Sequence, residues 1–186
     1  MFILAISPGH GSEAVRWKEV LASGIDGLML REKQMEAGPL LDLVRRVQDL
    51  APQMELWVNA RLDVALAAGC GLHAPENYPE VTSGLLSLSQ PLHSENQIPN
   101  RVNCQQLLLG PIFSVPGKGT PWGVERLHQA LDGLPIGART LALGGIAPTN
   151  SKVLRHPRLD GIAVIRALTD APEPLRVVDA FRQSWT

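Results

Sequence analysis

The stretch Thr140-Leu-Ala-Leu-Gly-Gly-Ile146 decides the fold. Its apolar half has the length of a buried strand and ends in Gly144 and Gly145, with Pro148 soon after at the expected first turn of a helix. Glycines let backbone N–H groups approach an anion, and a helix start adds positive potential. The pattern therefore predicts a phosphate-binding turn, although a plain tight turn would also explain the two glycines.

A second apolar run, Gly161-Ile-Ala-Val-Ile165, follows and leads directly into Arg166. Two consecutive strand–loop units that address one anion near the end of a chain are typical of a (β/α)8 barrel. Continuous apolar runs, without alternation, indicate a parallel sheet that is covered on its outer face. The strand candidates are Phe2–Ile6, Ile25–Leu30, Glu55–Val58, Gly71–Ala74, Leu85–Leu88, Gln106–Leu109, Thr140–Gly145 and Ile162–Ile165.

The stretches between these strands are unequal. Periodicity predicts helices over Ser12–Ala22, Leu40–Leu50, Leu62–Ala68, Gly123–Leu131 and Pro172–Trp185. Only irregular, proline-containing sequence follows strands four and five, so the expected fold is a compact α/β protein, a (β/α)8 TIM barrel with shortened helices there. A flavodoxin-like or Rossmann sheet is the alternative, but its glycine fingerprint belongs in the first unit, not the seventh. Residues 1–186 are expected to form a single domain.

Composition narrows the function. The formal net charge of −1 argues against nucleic acid or an anionic membrane as partner, so any anion site must be local. Cys70 and Cys104 are far apart, which argues against a disulfide or structural zinc and favours a cytoplasmic protein. The apolar start of the chain lacks the basic region of a signal peptide, and no apolar run approaches membrane-spanning length.

Polar residues follow the candidate strands, where barrel proteins carry their chemistry. Arg31 and Lys33 come after strand two, and a guanidinium and an ammonium there suit phosphate or carboxylate groups, unless they form a solvated surface triplet with Glu32. Gly110 turns the chain off strand six into a glycine-rich loop that carries Lys118, as in a lid that closes over an anionic substrate, although an ordinary flexible loop has the same composition.

Three further residues end the neighbouring strands. Asn59 follows strand three as a donor and acceptor, while Asp63 is expected to cap the next helix. His73 follows strand four, where the plainer interpretation is a half-buried histidine that is hydrogen-bonded to backbone.

Taken together, these strand ends resemble those of the thiamine phosphate synthase/TenI family, in order and spacing along nearly the whole chain. The resemblance implies a (β/α)8 barrel, often dimeric, that acts on thiazole phosphates in thiamine biosynthesis. The synthase joins a thiazole phosphate to a hydroxymethylpyrimidine pyrophosphate with magnesium, whereas the TenI branch isomerises a thiazole carboxylate phosphate without a metal. The motifs are Leu30-Arg-Glu-Lys33, Val58-Asn59-x-Arg-Leu-Asp63, Gly71-Leu-His73, Gly110-Pro-Ile-Phe113 with Lys118, Ala142-Leu-Gly-Gly-Ile146 and Asp160-Gly-Ile-Ala-Val-Ile165.

Departures from the family pattern separate the branches. Ala60 stands where synthases carry a magnesium-binding aspartate after strand three, and only Glu76 or Glu80 could replace the second one after strand four. Pro111 stands where TenI members place a histidine. The acid/base role then falls to His73 or His93, with Lys118 as a further candidate.

The favoured hypothesis from sequence is therefore a metal-independent, TenI-like thiazole tautomerase that needs no cofactor. The phosphate would be held by Gly144, Gly145, Ile165 and Arg166, with Arg31, Lys33, Asn59 and Gly110 also in the site. The alternatives are a divergent magnesium-dependent thiamine-phosphate synthase, a non-catalytic regulatory protein that binds thiazole phosphate, and a different phosphate-binding barrel isomerase. A small-molecule thiazole phosphate is the expected partner, and a homodimer is possible within this resemblance.

Overall fold

The computed structural model describes residues 1–9, 16–81, 87–101, 103–134 and 137–186. Its eight parallel strands pair in chain order, and β8 pairs with β1, so the sheet closes on itself. The predicted (β/α)8 barrel is therefore confirmed. The strands are β1 Phe2–Ile6, β2 Gly27–Leu30, β3 Glu55–Asn59, β4 Gly71–His73, β5 Leu88–Leu92, β6 Gln106–Leu109, β7 Arg139–Leu143 and β8 Gly161–Val164.

Side chains of the strands alternate between two apolar cores. In β1, Ile3 and Ala5 pack outward against the helices, while Leu4 and Ile6 face the barrel interior. Trp57 of β3 is the largest member of the interior cluster. Both faces of each strand are thus buried, which explains why the strands appear in the sequence as continuous apolar runs.

The helices surround the barrel unevenly. Residues 74–81 after β4 contain no helix, and β5 is followed only by a 3₁₀ helix, Glu95–Asn100. This confirms the predicted shortening after strands four and five. The helices are α1 Trp17–Leu21, α2 Ala37–Leu50, α3 Leu62–Ala68, α4 Gly123–Gly133, α5 Pro148–Ser151, α6 Arg166–Thr169 and α7 Pro174–Ser184. None of the helices in the described part of the chain is both long and apolar enough to cross a membrane.

Two local predictions need correction. Asp63 does not cap α3: it lies in the first turn, where its carboxylate accepts two hydrogen bonds from Arg61 at 3.0 and 2.7 Å. The predicted fifth strand, Leu85–Leu88, lies partly outside the described residues, and its predicted end is too early, because β5 begins at Leu88 and continues through Pro91 to Leu92. The start expected for the first helix, at Ser12, lies outside the described residues.

The proline in β5 is tolerated because of where β4 ends. Ser89 accepts a hydrogen bond from Ala74 on the β4 side, and β4 itself ends at His73. Pro91 therefore lies beyond the last residue of β4, where its missing N–H breaks no strand pairing. Its carbonyl accepts from Arg101 Nε at 3.2 Å. The short neighbouring strand is what makes a proline possible within β5.

Barrel closure makes a specific prediction about Gly161. A Cβ at this position would lie 1.9 Å from the carbonyl oxygen of Phe2, so β1 and β8 could not keep their pairing. We expect Gly161→Ala to lower the free energy of unfolding by roughly 1–3 kcal/mol or more, measured by urea denaturation. Gly38→Ala is the matched control, because nothing lies within 4 Å of its added Cβ and alanine favours the helix. Equal midpoints for the two variants would contradict this account of closure.

Candidate functional site

The turn after β7 is held by the loop after β6. The amide of Ile112 donates to the Leu143 carbonyl at 2.9 Å, and the amide of Phe113 donates to the Gly144 carbonyl at 3.0 Å. In a trans peptide the carbonyl and the next N–H point in opposite directions. The N–H groups of Gly144 and Gly145 are therefore turned away from the β6 loop.

Asn150 continues this arrangement from the other side. Its Nδ2 donates to the Gly145 carbonyl at 2.9 Å, and its Oδ1 accepts from the Ala147 amide at 2.8 Å. The N–H of Ile146 consequently points away from Asn150. Within the described part of the chain, the amides of Gly145 and Ile146 donate to no other backbone or side-chain group. The turn thus presents successive free donors, as the sequence prediction of a phosphate site requires.

Close packing explains why both turn residues are glycines. Gly144 has φ +107°, and a Cβ there would lie 2.6 Å from Pro111 Cβ. Gly145 has φ +65°, and a Cβ there would lie 2.8 Å from Phe113 Cβ. The plainer interpretation, a tight turn, is therefore also correct. The same packing that demands glycine leaves the amides uncovered.

The end of β8 lies beside this turn, because Leu143 of β7 pairs in register with Ala163 of β8. The Ile165 carbonyl accepts from the amides of Leu168 and Thr169, so α6 begins immediately after the strand. Arg166 is exposed at this point. The structure thus brings together the two segments that the sequence analysis assigned to one anion.

Four cations follow strand ends on the same face of the barrel. Arg31 and Lys33 follow β2, Lys118 lies in the loop after β6, and Arg166 follows β8. None of the four pairs with a carboxylate of the described residues within 4.0 Å. By contrast, Arg139 at the opposite end of the barrel pairs with Glu55 at 2.6 Å. These four side chains are therefore positive charges at the mouth with which an anionic ligand could pair.

The Lys118 loop is anchored at its base and exposed at its tip. Trp122 and Gly123 donate backbone hydrogen bonds to Pro111 and Ile112 at 2.8 and 2.9 Å, which close the base of the loop. Residues 116–121 are exposed. This geometry suits the predicted lid, because a side chain at the tip can reach a ligand while the base stays fixed.

His73, the last residue of β4, is buried in the barrel interior at 7% exposure. Its Nδ1 lies 2.9 Å from the hydroxyl oxygen of Ser89 on β5. Burial, with smaller contributions from the nearby charges of His93 and Arg31, lowers the pKa of His73 to about 4. The predicted hydrogen bond to backbone is wrong, since its partner is a side chain. At neutral pH the ring is uncharged.

His93 is held differently. It is exposed directly after β5, and its Nδ1 lies 2.7 Å from the carbonyl oxygen of Gly110. A carbonyl only accepts, so Nδ1 carries the proton and a neutral His93 keeps its lone pair on Nε2. Gly110 itself is buried, and a Cβ there would lie 2.1 Å from the Leu143 carbonyl oxygen. Its glycine is thus explained by packing, and its carbonyl orients His93.

A family model described as "Thiamine monophosphate synthase" matches residues 3–168. This chain belongs to that family. A thiamine-phosphate synthase of Koribacter versatilis is 31% identical over 170 residues, which cover 83% of this chain and 79% of the relative. A thiamine-phosphate synthase of Thermus thermophilus is 30% identical over 198 residues, which cover 95% of this chain and 91% of the relative.

Solved structures agree on the fold of this family member. A thiamine phosphate pyrophosphorylase from Pyrococcus furiosus superposes with a TM-score of 0.86 at 20% identity, covering 98% of this chain and 94% of that one. Orotidine 5'-phosphate decarboxylase from Pyrococcus horikoshii superposes with a TM-score of 0.75 at 18% identity, covering 99% and 98%. At these identities the likeness supports the barrel and not a shared reaction.

The magnesium that the resemblance to synthases implies does not fit the residues present. Ala60 stands where synthases carry a metal-binding carboxylate, and its backbone has φ +59°. Its amide donates to the His73 carbonyl at 2.9 Å, and the neighbouring Asn59 is half-buried. The Glu76 carboxylate accepts a hydrogen bond from Gln97, and Glu80 is exposed. No group of three or more His, Cys, Asp or Glu side chains in the described residues is placed to hold a metal.

The structure adds residues that the sequence analysis missed. Ser7 accepts a hydrogen bond from the Arg31 amide at 2.7 Å and so fixes the start of the cationic loop. Ser89 and Gln106 lie fully buried inside the barrel and connect His73 to Arg139. The available signal was a polar residue within an apolar strand, such as Gln106 before three leucines.

The low pKa of His73 makes stability depend on pH. The unfolded histidine binds a proton below its ordinary pKa of 6.5, whereas the folded one does so only near pH 4. Stability is therefore fully present above pH 6.5 and falls between pH 6.5 and 4, by about 3 kcal/mol from this group. Between pH 6.5 and pH 4, we expect the free energy of unfolding to fall less for His73→Gln than for the wild type. Parallel pH profiles from urea denaturation would rule out a buried neutral His73.

Proposed function

We propose that this protein is a thiamine-phosphate synthase that joins a thiazole phosphate to a hydroxymethylpyrimidine diphosphate at the barrel mouth. The observation that carries the proposal is the set of mouth cations that have no carboxylate partner among the described residues. They lie beside amides of the β7 turn that donate to no group in the same part of the chain. The names of the relatives favour this coupling over the tautomerisation that the sequence analysis placed first.

The two anionic groups have separate places in this proposal. The thiazole phosphate binds the amides of Gly145 and Ile146, next to Arg166 at the end of β8. The diphosphate binds Arg31 and Lys33, and the loop that carries Lys118 closes over it. Because the cations follow different strands, they meet the ligands from several sides of the mouth.

The coupling exchanges one bond for another. The bond between the pyrimidine methylene carbon and the diphosphate oxygen breaks, and the diphosphate leaves with the electron pair. The thiazole ring nitrogen then bonds to that carbon. Negative charge grows on the leaving diphosphate, so fixed cations beside it lower the barrier. Since the described residues offer no group of carboxylates placed to hold magnesium, Arg31, Lys33 and Lys118 take this electrostatic role in our proposal.

A specific observation supports a second candidate, the TenI-like tautomerase. The hydrogen bond from His93 Nδ1 to the Gly110 carbonyl leaves Nε2 as a base on an exposed ring at the mouth. Moving a proton from carbon to carbon needs such a base. Conversion of the non-aromatic thiazole tautomer, with His93→Gln as the variant, tests this role separately from coupling.

We predict that Arg31→Ala lowers kcat/KM for coupling about 10- to 100-fold, because it removes a charge-assisted hydrogen bond to the diphosphate. The assay follows thiamine phosphate formation with and without magnesium. Arg176→Ala is the matched control, since Arg176 is on α7 and pairs with Glu173 at 2.6 Å. It should leave kcat/KM unchanged.

The outcomes separate the hypotheses. If the wild type does not couple the two substrates but converts the thiazole tautomer, and His93→Gln abolishes that conversion, the tautomerase replaces the synthase. Binding of thiazole phosphate without either reaction would leave the non-catalytic regulatory protein. An Arg31→Ala variant as active as Arg176→Ala would refute the electrostatic role of the mouth cations.

A further inference from the structure

A chain of hydrogen bonds runs through the barrel interior from its far end to the mouth. Arg139 Nη1 donates to both carboxylate oxygens of Glu55, at 2.6 and 2.8 Å, and approaches Gln106 Oε1 at 3.5 Å. Gln106 Nε2 donates to Ser89 Oγ at 3.1 Å, and Ser89 Oγ lies 2.9 Å from His73 Nδ1. A continuous polar path thus runs beside the apolar cluster of the barrel interior.

Arg139 determines which way the Gln106 amide points. A guanidinium is only a donor, so the Gln106 carbonyl oxygen must face it and the NH₂ group must face the opposite side. The reversed amide would set donors against Arg139. The position of Arg139 is itself fixed by Glu55 and by Phe2, whose ring centre lies 4.0 Å from the guanidinium carbon. The fixed guanidinium of Arg139 therefore makes the Gln106 NH₂ group the donor to Ser89.

Ser89 passes this direction on to His73. Its oxygen already accepts from Gln106, which has no acceptor to offer on that side. The hydroxyl proton of this fully buried serine is therefore directed to Nδ1 of His73. If Nδ1 carried the proton, the Ser89 hydroxyl proton would have no acceptor. An unsatisfied donor in a buried site costs free energy. Nδ1 is then the acceptor, and the ring proton is on Nε2.

We propose that Ser89 and Gln106 are positioning residues that fix His73 as its Nε2–H tautomer, so that it offers the mouth a hydrogen-bond donor and not a base. The ring ends β4 at the mouth, on the face of the barrel where Arg31 follows β2 and His93 follows β5. A neutral donor beside these groups suits an oxygen of a bound phosphate or diphosphate. This second part rests on the proposed function, whereas the tautomer does not. The two histidines thereby divide their roles, because His93 keeps its lone pair on Nε2.

The test is the ¹⁵N spectrum of the imidazoles in the full-length, ligand-free protein at neutral pH. The His73 signals are assigned by their loss in His73→Gln. We expect Nδ1 to resonate as an unprotonated nitrogen and Nε2 as a protonated one. A protonated Nδ1 in the wild type would overturn the proposal, whatever reaction the protein catalyses.

Gln106→Glu replaces the NH₂ group that donates to Ser89 with a carboxylate oxygen that accepts. The new carboxylate, beside Arg139, accepts the Ser89 proton, and Ser89 is then free to accept from His73 Nδ1–H. We expect the tautomer to switch. Gln105→Glu is the matched control: it makes the same change one residue away, at an exposed side chain whose oxygen accepts from Leu88 N–H at 2.7 Å. It should leave the wild-type spectrum. A switch in both variants, or in neither, would refute the relay.

Ser89→Ala provides a second route should a buried carboxylate prevent folding. It removes the hydroxyl that bridges Gln106 and His73, and we expect signals of both tautomers. A single unchanged Nε2–H tautomer would show that other contacts fix the ring and would overturn the role of Ser89. In the coupling assay, Gln106→Glu should lower kcat/KM about tenfold, the value of one hydrogen bond to a charged ligand. A tautomer switch with unchanged kcat/KM would keep the relay and remove the donor role.

Discussion

Two backbone hydrogen bonds between neighbouring loops organise the mouth of this barrel. They join Ile112 to Leu143 and Phe113 to Gly144, and they hold the loop after β6 against the turn after β7. Since each occupied carbonyl turns the next N–H away, the same bonds that fix the loops also direct the donors of the β7 turn. The double glycine follows from this contact, because any Cβ would push the loops apart. The loop after β6 and the glycine turn after β7 are therefore one structural unit.

Charge is distributed along the barrel axis in a way that matches this unit. At the far end, Arg139 is neutralised by Glu55, and the polar path from this pair leads inward to His73. At the mouth, the cations that follow the strands have no carboxylate partners among the described residues. The interior path therefore orients the His73 ring, while the side chains at the mouth provide the positive charge.

Sequence patterns were sufficient for the architecture and for the position of the glycine turn after β7. Continuous apolar strands and their spacing predicted the barrel, and the bounds of Leu62–Ala68 and Gln106–Leu109 agree with the structure. The fifth strand was misplaced because Pro91 is allowed only where its neighbour has already ended. The Ser89–Gln106 path was invisible for another reason. Its members come from different strands, and which side chains meet inside a barrel depends on the stagger of the strands, which no local pattern records.

The mouth cations, which have no carboxylate partner among the described residues, have a consequence for how ligands arrive. The whole chain carries a formal net charge of −1, so from a distance the molecule as a whole exerts no net attraction on an anion. Attraction to the mouth side chains extends over about one Debye length, roughly 8 Å at physiological ionic strength and about 30 Å at 0.01 M. Ionic strength therefore sets how far from the mouth an anionic ligand is first drawn in.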